Sequence, residues 1–207
     1  FHVALGGGEA LERPDIFEVA AYAREVGLVP NLTISGAGVT PALAERMRVF
    51  GQVNLSVDGV GPRRDVFRPA HLFDAADRAL GLLVEAGVAA GINCVLGRRN
   101  FDGLGELFAY AERVGANEVE ILRYKPVGRA GRESYLAERT TDAQNRALAP
   151  RLVELADRTG VTAKVDCSFV PMLCAHRPPR ELLEATATYG CEAANVLVGV
   201  RSDGAVH

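Results

Sequence analysis

Gly6-Gly7-Gly8-Glu9 directly follows the apolar run Val3-Ala4-Leu5. Glycine has no Cβ, so a strand ending in three of them leaves its last amides and carbonyls open to a close ligand. Gly-rich turns after strands commonly cradle phosphate. Here the turn ends on a carboxylate, and Glu9 suits a cationic partner such as an ammonium. Further polar residues stand at or near the ends of later apolar runs: Thr33 and Ser35, Ser56 and Asp58, Asn93, and Arg123. Hydroxyls, an amide, a carboxylate and a guanidinium brought to one place would hold a polar ligand by hydrogen bonds. Schiff-base chemistry has no good candidate, since Lys125 and Lys164 are the nearest lysines and neither closes an apolar strand.

Each position also has a plainer use. An acidic residue favours a helix start, which Glu9 would provide for the segment after it. Asp58-Gly59 is a turn signal. Thr33 and Ser35 alternate along a strand and share a face, where one of them could be filler. Asn93 lies inside an apolar run, where its amide needs partners of its own. Cys94, on the face opposite Asn93, reads as a small buried hydrophobe. Cys167, Cys174 and His176 match no common zinc spacing, and packing is their default. Arg63, Arg64 and Arg68 read as a solvated loop, with contact to a peptide as the sharper alternative.

Helix and strand signals alternate in a way that would position these groups. Apolar runs Val3–Leu5, Val29–Ser35, Val53–Val57, Ala89–Leu96, Glu118–Arg123 and Val161–Val165 read as strands. Helices are expected from Arg13 to Val26, from a Thr40 cap with Pro41 at its first position, from His71 to Ala86, from an Asn100 cap to Val114, and from Thr141 to Thr159. Six strands with five intervening helices imply right-handed crossovers and a parallel sheet. An open doubly wound sheet and a barrel both fit that pattern. The polar residues fall at one end of successive strands, which favours a barrel or an arc of one, with its active face at the strand C-termini.

The 207 residues are 48% hydrophobic and 24% charged with a net charge of −3, which fits a globular chain and is too small a charge to suggest nucleic acid or a membrane surface. No signal peptide or membrane-spanning stretch is seen, and four scattered cysteines suggest reduced thiols, so a cytoplasmic protein is expected. Phe1 opens inside a strand pattern and His207 stops inside another, so the expectation is of a longer parent protein.

Gly6-Gly7-Gly8-Glu9, Arg13-Pro14-Asp15, Asn31-Leu32-Thr33-Ile34-Ser35-Gly36, and Leu55-Ser56-Val57-Asp58-Gly59 with Arg68 and Phe73 beyond it, taken in order, resemble the radical SAM superfamily. The closest branch is the one with a C-terminal SPASM or twitch extension. The resemblance implies an α/β fold: a partial (β/α)6 TIM-like barrel over residues 1–170, then a linker helix and the start of a SPASM domain over 171–207. It implies that Gly7, Gly8 and Glu9 hold the amino group of S-adenosylmethionine. Thr33, Ser35, Ser56, Asp58, Asn93 and Arg123 fall at the family's other cofactor- or substrate-facing positions. Ala10 stands where the family usually has proline.

The family's Cys-x3-Cys-x2-Cys loop, which holds a [4Fe–4S] cluster, does not occur in this sequence. The expectation is that this loop and the first strand lie upstream; a degenerate relative is the alternative. Gly190-Cys191-Glu192-Ala193-Ala194, then Val198–Val200 and Gly204, resemble the start of a SPASM domain. Cys191 would then be the first thiolate of an auxiliary [4Fe–4S] cluster, with the next cysteine just past His207. The implied activity is reductive cleavage of S-adenosylmethionine to a 5′-deoxyadenosyl radical for hydrogen abstraction, in peptide or cofactor maturation. This chain alone would not carry it out. A non-catalytic barrel binding a peptide or nucleotide, and an ordinary barrel lyase or aldolase, are the alternatives.

Overall fold

The computed structural model describes residues 1–126, 131–191, 197–201 and 203–206. Six strands form one parallel sheet: β1 (His2–Leu5), β2 (Val29–Ile34), β3 (Gln52–Ser56), β4 (Ala90–Leu96), β5 (Glu118–Arg123) and β6 (Thr162–Val165). They lie side by side in sequence order, every neighbouring pair parallel. A doubly wound sheet must reverse direction to place helices on both faces. This order never reverses, so right-handed crossovers stack every helix on one side and the sheet curls into a half-barrel.

The helices are α1 (Ile16–Glu25), α2 (Pro41–Arg46), α3 (Ala70–Glu85), α4 (Leu104–Val114), α5 (Arg132–Glu138), α6 (Asp142–Thr159), α7 (Val170–Cys174) and α8 (Arg180–Ala185). Thr40 caps α2 as expected, its hydroxyl accepting from Leu43 N at 3.2 Å, with Pro41 next in line. Thr141 and Gln144 form a reciprocal capping box at the start of α6. The α5 helix lies in a stretch with no clear period in the sequence. It is held from outside: Tyr135 stacks over Tyr124, with centroids 6.4 Å apart, and Glu138 pairs with Arg99 at 2.8 Å.

The core lies between the convex face of the sheet and the helices. Leu32, Ile34, Val53, Leu55, Ile92, Leu96, Val119 and Ile121 meet Leu80, Leu83, Leu107, Phe108, Leu148 and Leu152, all nearly or fully buried. The opposite face is different. From Asn31 onward in β2, and throughout β3, every second residue is polar and half-buried: Asn31 and Thr33, then Gln52, Asn54 and Ser56. A closed TIM barrel fills its interior with branched apolar side chains; this arc lines its concave face with amides, hydroxyls and carboxylates.

The last part of the chain is less regular. Leu173 of α7 joins the core, and Thr186, after α8, accepts from Val165 N at 3.2 Å through its carbonyl. Val200 bridges Val206 across Gly204, at φ +84°. Residues 192–196, most of the predicted SPASM start after Cys191, lie outside the described residues, as do 127–130 in the loop after β5. No described helix is long and apolar enough to cross a membrane.

Gly36, just past β2, has φ +89°, and a Cβ there would sit 2.8 Å from the Cα of Ala76 in α3. Both the backbone conformation and the close approach require glycine. Gly36→Ala is expected to cost about 1–3 kcal/mol, read as a lower urea midpoint with an unchanged m-value; an unchanged midpoint would show that α3 yields freely.

Candidate functional site at the strand ends

Glu9 does not cap the 3-10 turn that it opens, and its side chain leaves its own segment. Its Oε2 accepts from the backbone N of Ser35 at 3.1 Å and from Ser35 Oγ at 2.5 Å. This pair joins the ends of β1 and β2. Glu9 Oε1 is buried with no hydrogen-bond partner among the described residues. An orphaned buried acceptor costs about 1–3 kcal/mol, so a donor from elsewhere would be favoured there. Around it, Gly6, Gly7 and Gly8 have nothing within 4 Å of where a Cβ would stand. The turn borders a cavity of about 550 Å³ that reaches Arg13 and Arg201.

Asp58 is bound differently. Its side chain is 2% exposed; Oδ2 accepts from Arg68 Nε at 2.7 Å and Oδ1 from Val95 N at 2.8 Å. Burial pushes its carboxyl above the ordinary carboxylate range, with the Arg68 guanidinium opposing. A ligand at the strand ends would meet Arg68, which is 36% exposed, before it met Asp58. The Asp58 carboxylate, expected to face a ligand, is thus covered by Arg68 and the β4 backbone.

Asn100, expected to cap the helix that follows, instead clips the strand ends together. Its Oδ1 accepts from Gly97 N at 2.8 Å, and its Nδ2 donates to the carbonyls of Asp58 at 2.7 Å and Val95 at 2.8 Å. It is 3% exposed. Only the fold could reveal this, because the partners of Asn100 lie on β4 and on the turn after β3.

The concave face joins several expected residues and adds others. Strand register sets Thr33 beside Asn54, Asn54 beside Gly91, and Gly91 beside Glu118. One step further on, Ser56, Asn93, Glu120 and Lys164 are neighbours. Asn93 donates to Thr33 Oγ1 at 3.5 Å and accepts from Asn54 Nδ2 at 2.8 Å. Gln52 bridges Asn54 Oδ1 and Glu118 Oε1, and Lys164 pairs with Glu118. At Gly91 a Cβ would fall 2.4 Å from Asn54 Oδ1, so any larger residue would have to displace the Asn54 amide. Burial, and after it the Glu118 and Asp166 carboxylates, push the Glu120 carboxyl up. Asn31, Gln52, Asn54, Glu118 and Glu120 were not among the expected site residues, although polar residues at every second position along a strand are a readable sign.

Two expected residues stand apart. Arg123 follows Val119 and Ile121 on the alternation that faces the helices, and its Nη1 reaches Met172 Sδ in α7 at 3.3 Å. Cys191 is exposed. Its thiol lies beside that of Cys167, whose proton affinity is raised by burial, by Asp166 and by Cys191. Cys94 is buried, as expected, and donates to the carbonyl of Asp58 at 3.8 Å. Among the described residues no three metal-ligating side chains converge.

No family model matches the chain. Curated relatives do. An AdoMet-dependent heme synthase of Nitratidesulfovibrio vulgaris is 34% identical over 132 residues, covering 62% of this chain and 36% of that protein. Mycofactocin maturase MftC of Mycolicibacterium smegmatis is 35% identical over 162 residues, covering 76% and 41%. Among solved structures, Streptococcus suis SuiB bound to S-adenosylmethionine superposes over 99% of this chain and 48% of its own, with a TM-score of 0.74 at 17% identity. The chain belongs to the radical SAM superfamily, in its SPASM-type branch. This radical SAM chain spans less than half the length of the relatives named here.

Removing Arg68 from the radical SAM half-barrel leaves the Asp58 carboxylate buried without its counter-ion. Breaking a fully buried pair costs about 3–5 kcal/mol; because Arg68 is a third exposed, Arg68→Met is expected to cost about 1–3 kcal/mol. Without Arg68 the Asp58 carboxyl rises further above its unfolded value. The folded state then holds a proton that the unfolded chain has released, so stability falls as pH rises from the ordinary carboxylate range through the raised value. The penalty should be smallest in acid and largest at neutral pH, as read from urea midpoints across that range. A penalty independent of pH would exclude Asp58 as its source.

Proposed function

We propose that this chain is the S-adenosylmethionine-binding arc of a radical SAM enzyme that matures a peptide or a cofactor. One observation carries the reading: Glu9 is anchored through Oε2 on Ser35 while Oε1 stays buried and unpartnered beside three open glycines. An ammonium is a three-fold donor with positive charge, and this carboxylate oxygen beside glycines whose backbone no side chain shields is an acceptor set that suits it. Arg68, held by Asp58, offers a guanidinium at the next strand ends, suited to a ligand's carboxylate. An amino acid carries both groups. Thr33, Ser56 and Asn93 on the concave face would orient the remainder of the cofactor.

S-adenosylmethionine beside a reduced iron–sulfur cluster supplies hydrogen-atom abstraction. This chain's part is to bind, orient and exclude water. It contains no three-cysteine cluster motif, and no step through a cluster is assigned to its residues. Cys191 is proposed as one thiolate of an auxiliary cluster at the start of a SPASM domain, which with a linker helix takes up residues 171–207. The Val200–Val206 bridge around Gly204 supports a hairpin there. The peptide or cofactor substrate is proposed from relatives named as a mycofactocin maturase, a PqqA peptide cyclase and a heme synthase, and from SuiB bound to its precursor peptide.

The test uses the full-length protein, with its cluster reconstituted anaerobically. Reduction in the presence of S-adenosylmethionine should release 5′-deoxyadenosine, detected by mass spectrometry. Glu9→Gln should weaken S-adenosylmethionine binding by calorimetry on the order of tenfold, with little change in urea midpoint. Equal affinity in both proteins would remove Glu9 from the site; binding without 5′-deoxyadenosine would favour the non-catalytic barrel.

A further inference from the structure

A cavity of about 410 Å³ opens at the C-terminal ends of β4 and β5, bounded by α5, α7 and the start of α6. Three guanidinium-bearing residues line it: Arg98, Arg123 and Arg139. Among the described residues, no hydrogen bond or ion pair engages the side chains of Arg98 and Arg139. Among the described residues, Arg123 Nε is buried with no partner and its Nη1 has only a thioether, a weak acceptor. The one acidic residue in the wall, Asp142, is 80% exposed and lies 3.3 Å from His176 Nε2. The first turn of α6 adds the partial positive charge of an 18-residue helix to the same wall. The opposite wall is aromatic: Tyr124 stacks between Phe67 and Tyr135, with centroids at 5.0 Å and 6.4 Å.

We propose that this cavity binds a carboxylate side chain of an acidic peptide, with the arginines on the carboxylate and the tyrosine wall against the adjoining backbone. Arginine forks match a planar carboxylate in a bidentate way. The volume argues against a bare ion, since one water takes about 30 Å³ and the cavity is more than ten times that size. Stacked tyrosines give a rigid apolar surface that needs little ordering on binding, as peptide-binding surfaces do. That the peptide is the substrate rests on the function proposed above; the carboxylate site rests on the cavity alone.

The probes are the blocked tripeptides Ala-Glu-Ala and Ala-Gln-Ala, glutarate and inorganic phosphate, titrated into the full-length protein by NMR. Ala-Glu-Ala should bind on the order of tenfold more tightly than Ala-Gln-Ala. The Arg98→Gln/Arg139→Gln double variant should abolish that preference while keeping the parent's urea midpoint and S-adenosylmethionine affinity. Equal binding of the two tripeptides, or an unaltered preference in the double variant, overturns the carboxylate site. Tighter binding of phosphate makes it a phosphate site, and glutarate binding as well as Ala-Glu-Ala removes the peptide. Because S-adenosylmethionine affinity is read separately, failure here leaves the proposed cofactor function standing, and failure of that function leaves this site standing.

Discussion

A carboxylate taken out of water has to find donors, and the donors that Asp58 finds lie on two other segments of the chain. Val95 N comes from β4 and Arg68 from the loop before α3. The carbonyl of the same aspartate accepts from Asn100, which also holds Gly97 N and the carbonyl of Val95. The loop before α3 and the end of β4 are thus drawn to one point at the end of β3. The penalty for leaving any of these groups unpaired keeps the strand ends in register. The exposed edge of Arg68 and the order of the concave face both follow from that arrangement.

The half-barrel explains why such a polar layer is tolerated. Each crossover winds the same way, so the helices bury one face of the sheet and leave the other to line a concave space. On the helix side, Leu32, Leu55, Ile92 and Ile121 provide the apolar burial that holds the sheet. On the concave side, Gln52, Asn54, Asn93 and Glu118 satisfy one another across three strands. Apolar burial and polar hydrogen bonding are thus carried by opposite faces of the same strands. Glu9 differs from the rest, because only one of its oxygens is satisfied among the described residues.

Much of this was legible in the residues. Strand boundaries agree within a residue or two, because apolar runs of β length alternate with helical periods and capped starts such as Thr40 and Thr141. Thr33 and Asn93, selected separately, share a hydrogen bond. What was not legible depends on partners distant in sequence. Asn100 has the local look of a helix cap, yet its amide is claimed by the Asp58 carbonyl, 42 residues away. Arg123 closes a strand as a site residue would, but the alternation along β5 turns it toward α7. The α5 helix carries no period and is held by an aromatic stack and an ion pair.

By itself the sequence determined the repeating strand–helix order, the polar residues at the strand ends and the glycine turn with its glutamate. These are local properties, set by side-chain period and by the absence of a Cβ. Only the tertiary structure decided how each polar group is used. Glu9 keeps an oxygen free, Asp58 and Asn100 bind the scaffold, and Arg123 belongs to a separate cavity with Arg98 and Arg139. The physical reason is that a polar group's role depends on which donors and acceptors remain once its neighbours in space are satisfied, and those neighbours are chosen by the curl of the sheet.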